Sequence, residues 1–265
     1  MESGPLGAAK WWRGLPRPRL TSYLRPMSDD AIPAATLVVM REVESGPPEL
    51  LMVRRTQRMA FAAGAMVFPG GRIDDEDRHL GEDDLAAAKI CAIRETIEET
   101  ALPVGLSVPQ DLQEQLHAGE ALQDLLQRYA TDLDLNALVP FARWRPAFHQ
   151  PRRFDTLFFL ARAPEGDWPL RPQAGECETA EWLSAADVLA RIADGRATAI
   201  FPTIRNLERL AQFGSFDEAV AHARAHPVET ISPWVEEIDG EKWLRIPDHL
   251  GYPVTAERLT SAIRA

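Results

Sequence analysis

The sequence predicts a mixed α/β domain. Three observations lead there. Apolar runs of strand length occupy residues 32–41 and 49–55. An alanine-rich run at 86–93 has no Gly or Pro and favours helix. Strand-like and helix-like segments then succeed one another from residue 138 to residue 224. A chain of 265 residues holds one large domain, or one domain with extensions.

Residues 1–30 read as an extension. Lys10, Arg13, Arg17, Arg19 and Arg25 stand against one acid before Ser28, and Pro5, Pro16, Pro18 and Pro26 interrupt any helix. The segment lacks the continuous apolar core of a secretory signal, and its prolines argue against an amphipathic transit peptide. Trp11 and Trp12 are expected to tuck against the domain.

The main domain is expected over residues 31–195. IPAATLVVMR (32–41) and ELLMVRR (49–55) read as two strands of a hairpin, with Ser45-Gly46-Pro47-Pro48 as the turn. Residues 64–68 form a short strand feeding Pro69-Gly70-Gly71, followed by an acidic loop, 74–84. The helix after it is ended by Pro103 and Gly105. Residues 109–129 are helical, broken at His117-Ala118-Gly119, and read as an insertion or lid. Strands follow at 138–144 and 156–161. Ser184 is a good N-cap for a helix over 185–192.

Residues 196–265 are expected to be a C-terminal extension packed on the same domain. Ile204, Leu207 and Leu210 share one helical face, and Phe216, Ala219 and Val220 begin the next helix. Residues 231–235 and 243–246 read as a last hairpin around Asp239-Gly240.

The chemistry concentrates between Phe68 and Leu102. On a helix, Glu95, Glu98 and Glu99 project together, while Ile90, Ile93 and Ile97 repeat at the spacing of a buried face. This reading leaves the glutamates on a face open to solvent. Three like charges so close repel one another, and a hard divalent cation removes that cost. The plainer alternative is a solvated acidic face neutralised by arginines. The upstream glycine pair favours the metal, because it permits close backbone approach and brings a carbonyl oxygen within reach.

At these residues the chain resembles the Nudix hydrolases. That family's box runs glycine, five residues, glutamate, seven residues, then Arg-Glu-apolar-x-Glu-Glu-x-Gly-apolar. Gly71 matches the opening glycine, and Arg94, Glu95, Glu98, Glu99 and Leu102 match the closing positions. Thr96 takes an apolar slot, with Ile97 one place late, and Ala101 replaces the second glycine. Asp77 stands where the first glutamate belongs, and the span from it to Arg94 is nine residues too long. The surplus is expected to lengthen a loop around 78–86 and leave the helix intact.

The resemblance implies a Nudix-type α/β/α sandwich with a mixed sheet, a helical insertion and a helical C-terminal extension. It implies metal-dependent hydrolysis of a nucleoside diphosphate derivative, with Mg²⁺ or Mn²⁺ as cofactor. The expected metal ligands are Glu95, Glu98, Glu99, the Gly70 carbonyl and a distal carboxylate. Glu176 is the first choice for the last of these and Glu178 the second. Arg94 is expected to orient a glutamate, with direct phosphate contact as its alternative role, and Glu95 or the distal pair to act as general base. Arg153-Phe154-Asp155-Thr156-x-Phe158-Phe159, with the long box insertion, looks like the subgroup of acyl-CoA diphosphatases. The coenzyme A signature is matched in part by Leu51, Arg55, Gly64, Phe68 and Pro69, with Thr56 and Ala60 departing from it.

The substrate-binding residues expected on these grounds are Arg55, Phe148, Arg152 and Arg153. The last three lie in a loop, 145–153, rich in base and aromatic residues, which suits a phosphate-bearing ligand. ADP-ribose or NADH as substrate, and a Nudix-fold module that binds a nucleotide without cleaving it, remain as alternatives.

Composition narrows the partners. Net charge is −11, against the basic surface general nucleic-acid binding needs. No apolar run reaches the length of a membrane span. Cys91 and Cys177 alone provide no disulfide framework and fit a reducing compartment as buried thiols. Ala265 ends no peroxisomal tripeptide, and the expected location is cytoplasmic. A homodimer is left open.

Overall fold

A computed structural model describes residues 31–58, 62–145 and 153–262. Its centre is strand β1 (Ile32–Arg41), paired along its whole length in parallel with β6 (Phe154–Arg162). Central parallel strands are buried on both faces and so read as nearly continuous apolar runs. Alternate residues of β1 serve two different cores. Val38 and Met40 join one, while Ala35, Leu37 and Val39 join the other. β6 divides likewise, with Phe158 and Leu160 on one side and Leu157, Phe159 and Ala161 on the other.

Around this pair the sheet is mixed. β2 (Glu49–Arg55) lies antiparallel to β1 through the expected hairpin, and β3 (Met66–Val67) lies against β2. β4 (Gly70–Arg72) pairs with the first half of β1, so the glycine pair is itself a strand. β5 (Val139–Trp144) is antiparallel to β6, and β7 (Cys177–Ser184) covers β2.

One face carries α2 (Asp84–Thr100), α3 (Gln113–His117) and α4 (Leu122–Arg128). Ile90, Ile93 and Ile97 are fully buried there, as their spacing predicts. The other face carries α5 (Ala185–Ala193), α6 (Phe201–Leu210) and α7 (Phe216–Ala225). The result is the three-layer α/β/α sandwich. Ser184 caps α5 by accepting the Asp187 N–H at 3.1 Å.

Four expectations change. The stretch 74–84 is not a plain loop, because α1 (Asp75–Leu80) forms within it and packs on α2. α2 then starts at Asp84, with the Asp83 carboxylate accepting the Ala86 N–H at 2.7 Å. It ends at Ala101, whose φ of 62° is left-handed, before Pro103 or Gly105 is reached. The region 109–129 is not a lid: Leu112, Leu116, Leu122 and Leu125 are buried with the isoleucine face of α2.

The C-terminal region is interwoven with the rest. Leu207, Leu210 and Ala219 share a core with Val38. β8 (Thr230–Ile231) extends the main sheet beside β5, so Ile231 pairs with Trp144 instead of opening the last hairpin. That hairpin is β9 (Trp234–Ile238) and β10 (Glu241–Arg245) around Asp239-Gly240, both with positive φ as a two-residue turn requires. β11 (Ala256–Arg258) completes a small second sheet, and α8 (Leu259–Ala262) follows. No helix among the described residues is long and apolar enough to cross a membrane. Both cysteines are buried free thiols.

Candidate active site

A cavity of about 550 Å³ opens at the end of the sheet where β4 meets α2. Its polar wall holds Arg94, Glu95, Glu98 and Glu99 of α2, with Gly70 and Gly71 of β4. Arg55, at the end of β2, and Glu176, just before β7, join them. The facing wall is largely apolar, with Val67, Phe68, Trp144, Phe154, Phe158 and Ile200.

The glutamates therefore do not stand on a solvated face. Glu99 is 2% exposed, and the side chains of Glu95 and Glu98 are only 17% and 21% exposed. Glu99 Oε2 accepts the Gly70 backbone N–H at 3.0 Å. Glycine is required at both β4 positions. A Cβ on Gly71 would sit 2.3 Å from Glu95 Oε1, and one on Gly70 would sit 2.4 Å from the Ala35 carbonyl oxygen.

Arg94 ties the cluster together. Its Nη1 donates to Glu95 Oε1 and Glu98 Oε2, each at 3.0 Å. Its Nε and Nη2 donate to the two carboxylate oxygens of Asp77, each at 2.9 Å. Asp77 is 1% exposed and also accepts the Asp74 N–H at 2.9 Å, so it fixes the start of α1 as well. The acid that holds Arg94 is thus Asp77, at the family's first acidic position and ahead of the surplus residues. Burial alone would lower the Arg94 pKa, but the surrounding acids, led by the Asp77 hydrogen bond, outweigh it and raise it.

The end of α2 is held too. Gln113 Nε2 reaches the Glu98 carbonyl at 2.8 Å, and the Gln173 N–H reaches the Glu99 carbonyl at 3.0 Å. The last helical carbonyls lack intrahelical partners, and these contacts satisfy them while fixing where Glu98 and Glu99 start. Nothing in the sequence pattern pointed to Gln113 or Gln173.

Electrostatically the wall is short of positive charge. Burial, then the Glu95 charge, pushes Glu99 up to about 8. Burial raises Glu95 to about 7 against the pull of Arg94, and raises Glu98 as well. Among the described residues no three His, Cys, Asp or Glu side chains converge as a ready metal cage. The Arg94 guanidinium lies between Glu95 and Glu98 instead. The donor set nevertheless suits a hard divalent cation. It is made of carboxylate oxygens, crowded and buried, whose mutual repulsion a cation would relieve.

Of the other expected residues, Arg55, Arg153 and Glu176 line the cavity, while Glu178 does not. Phe148 and Arg152 lie outside the described residues, as do Trp11, Trp12 and Ala60. Asp155 is fully buried in a two-bond pair with Arg143, at 2.8 Å each, and serves the sheet. Sequence reasoning missed Trp144, Ile200 and Thr203 as lining residues. Pro202, in the first turn of α6, was the available signal for a helix beginning there.

The NUDIX domain family matches residues 31–203. The chain is similar to the crystal structure of a NUDIX hydrolase from Alicyclobacillus acidocaldarius, with 32% identity and a TM-score of 0.66, covering 76% of this chain and 97% of that one. A weaker likeness, 15% identical with a TM-score of 0.42, is to the NUDIX domain of Shewanella oneidensis NrtR complexed with ADP ribose, covering 73% and 96% of the two chains.

Proposed function

We propose that this chain, which belongs to the Nudix hydrolase family, cleaves the diphosphate linkage of a nucleoside diphosphate derivative with the help of a divalent cation, and that coenzyme A or an acyl-CoA is its substrate. The observation that carries the reading is the composition of one cavity. Buried carboxylates held by Arg94 form one wall, and an apolar wall faces them.

Mg²⁺ or Mn²⁺, held by Glu95, Glu98, Glu99 and the Gly70 carbonyl with Glu176 of the same wall, would neutralise the diphosphate and acidify a water. The protein's own residues do the rest. Arg94 fixes the Glu95 and Glu98 side chains, so their oxygens need not be ordered when substrate arrives. Glu99 is fixed by the Gly70 amide. Glu95, with a pKa of about 7, is poised to take the proton of the attacking water at a carboxylate oxygen. Arg55 and Arg153 offer guanidinium groups to phosphate oxygens. Trp144, Phe154 and Phe158 exclude water beside them and suit an adenine ring or a pantetheine arm.

The coenzyme A reading rests on the apolar wall and on the partial sequence signature around Arg55. Its test is kcat/KM for coenzyme A esters, dephospho-coenzyme A, ADP-ribose and NADH on one preparation. Coenzyme A compounds should lead. If ADP-ribose or NADH wins by about tenfold, which is about 1.4 kcal/mol of transition-state discrimination, the coenzyme A reading falls and the diphosphatase class stands.

A further inference from the structure

The last turn of α2 is held by a network that reaches Glu176. Gln113, at the start of α3, is buried, and its side-chain amide makes three hydrogen bonds. Nε2 donates to the Glu98 carbonyl and to the Arg171 carbonyl, each at 2.8 Å, and Oε1 accepts from Arg171 Nε at 3.2 Å. Both Nε2 protons are thereby used, and turning the amide over would set its oxygen against two carbonyls. From Arg171 the chain runs along the helix end. The Arg171 N–H donates to the Thr100 carbonyl at 2.9 Å, and the Gln173 N–H to the Glu99 carbonyl at 3.0 Å. The Gln173 carbonyl in turn accepts the N–H groups of Glu176 at 3.3 Å and Cys177 at 3.0 Å. The carbonyls of Glu98, Glu99 and Thr100 are thus all bonded, and the segment bonded to them leads to Glu176.

Helix ends fray where their carbonyls go unpaired. Glu98 and Glu99 leave the helix in this last turn, so fraying would move their oxygens relative to Glu176. Gln113 is not needed to seat α3, because Leu112 and Leu116 already bury that region with the isoleucine face of α2. Nor does the Glu98 carbonyl depend on it alone, since His117 Nε2 lies 2.9 Å from the same oxygen. What Gln113 adds is one side chain that grips both the helix end and the segment leading to Glu176. We infer that Gln113 is a positioning residue that clamps residues 171–177 to the end of α2 and so sets where Glu176 stands relative to Glu98 and Glu99. The inference deepens the diphosphatase reading above and rests on it for the role of those carboxylates as cation ligands.

The test follows Mn²⁺ binding to the full chain by electron paramagnetic resonance, without substrate. Gln113→Met keeps the length of the side chain and removes its hydrogen bonds, while Arg171 retains its pair with Asp111. Its Mn²⁺ affinity should fall by about tenfold or more, the scale on which groups that hold metal ligands in place act. Leu122→Ala removes a buried leucine of α4 outside this network, controls for lost stability, and should leave the affinity unchanged. In a Glu176→Gln background the loss caused by Gln113→Met should shrink to about twofold or less, because the carboxylate it places is gone. In the wild type, Mg²⁺ should slow amide hydrogen exchange in α3, which carries no proposed ligand, and this measurement needs no variant to fold. A folded Gln113→Met with wild-type affinity overturns the positioning role. So does an equal loss in Leu122→Ala, a full loss that persists beside Glu176→Gln, or exchange in α3 that Mg²⁺ does not move. A wild type that neither binds Mn²⁺ nor cleaves any diphosphate compound removes the diphosphatase reading and this inference with it. Cation-dependent cleavage together with any of the earlier failures removes the positioning role alone.

Discussion

Glu99 accepts the Gly70 N–H and is buried, and both facts bear on its replacement. Glu99→Gln keeps an oxygen that can accept that amide, so the fold should persist while the charge a cation needs is gone. The rate should fall by about a hundredfold or more, the scale on which a main electrostatic stabiliser acts. A folded Glu99→Gln enzyme with near wild-type kcat would remove Glu99 from the metal site. Asp77 makes a different case. Asp77→Ala leaves the Arg94 guanidinium without its two-bond partner in a buried position. Breaking such a pair costs about 3–5 kcal/mol. Denaturant unfolding should show that loss, with a fall in kcat as Glu95 and Glu98 lose their anchor. An Asp77→Ala protein as stable and active as the wild type would contradict the brace. The sequence could align Asp77 with the family's first acidic position but could not say what it touches, because its partner is seventeen residues away on another helix.

At the scale of elements, α2 was legible because it carries its own pattern: isoleucines at helical spacing on one side and glutamates on the other. α1 was not. Its six residues, Asp-Glu-Asp-Arg-His-Leu, have no apolar repeat, and a helix so short is held by tertiary contacts such as Asp77 with Arg94. β8 was misread for a similar reason, since two residues become a strand only by pairing with β5. The end of α2 yields a prediction. Ala101 holds the left-handed cap position, where the family pattern has glycine and where a Cβ is strained. Ala101→Gly should stabilise the protein by about 1 kcal/mol, reduced somewhat by the greater freedom of glycine in the unfolded chain. For a protein of this size that is about 2–4 °C in Tm. A lower Tm would show that the cap is not strained.

The described residues form one mixed sheet between two helical layers, with a small second sheet besides, and the cavity draws on both layers. The sandwich was legible through its strands and the box residues. The cavity's far wall was not, because Trp144, Ile200 and Thr203 are distant in sequence and meet only through the sheet and α6. The acid cluster also affects global stability. Glu95 and Glu99 have folded pKa values of about 7 and about 8, above the ordinary 4.5. The folded state therefore binds their protons more tightly than the unfolded state does. The stability they contribute is complete below pH 4.5 and is lost as pH rises through about 7 to 8. Without metal, Tm should fall across that window. Mg²⁺ competes with those protons, so it should raise Tm more at pH 8 than at pH 6. A Mg²⁺ effect that is absent, or larger at pH 6, would count against the carboxylates as its ligands.

The central claim is that the cavity is a cation-dependent diphosphatase centre. The most direct measurement is mass analysis of products from coenzyme A and a panel of other nucleoside diphosphate derivatives, with Mg²⁺ or Mn²⁺ and again with excess EDTA. The account predicts cleavage within the diphosphate, giving 3′-phosphoadenosine phosphate and a phosphopantetheine from coenzyme A, and loss of cleavage with EDTA. Undiminished cleavage in EDTA, or intact diphosphates across the whole panel with either metal, would contradict it.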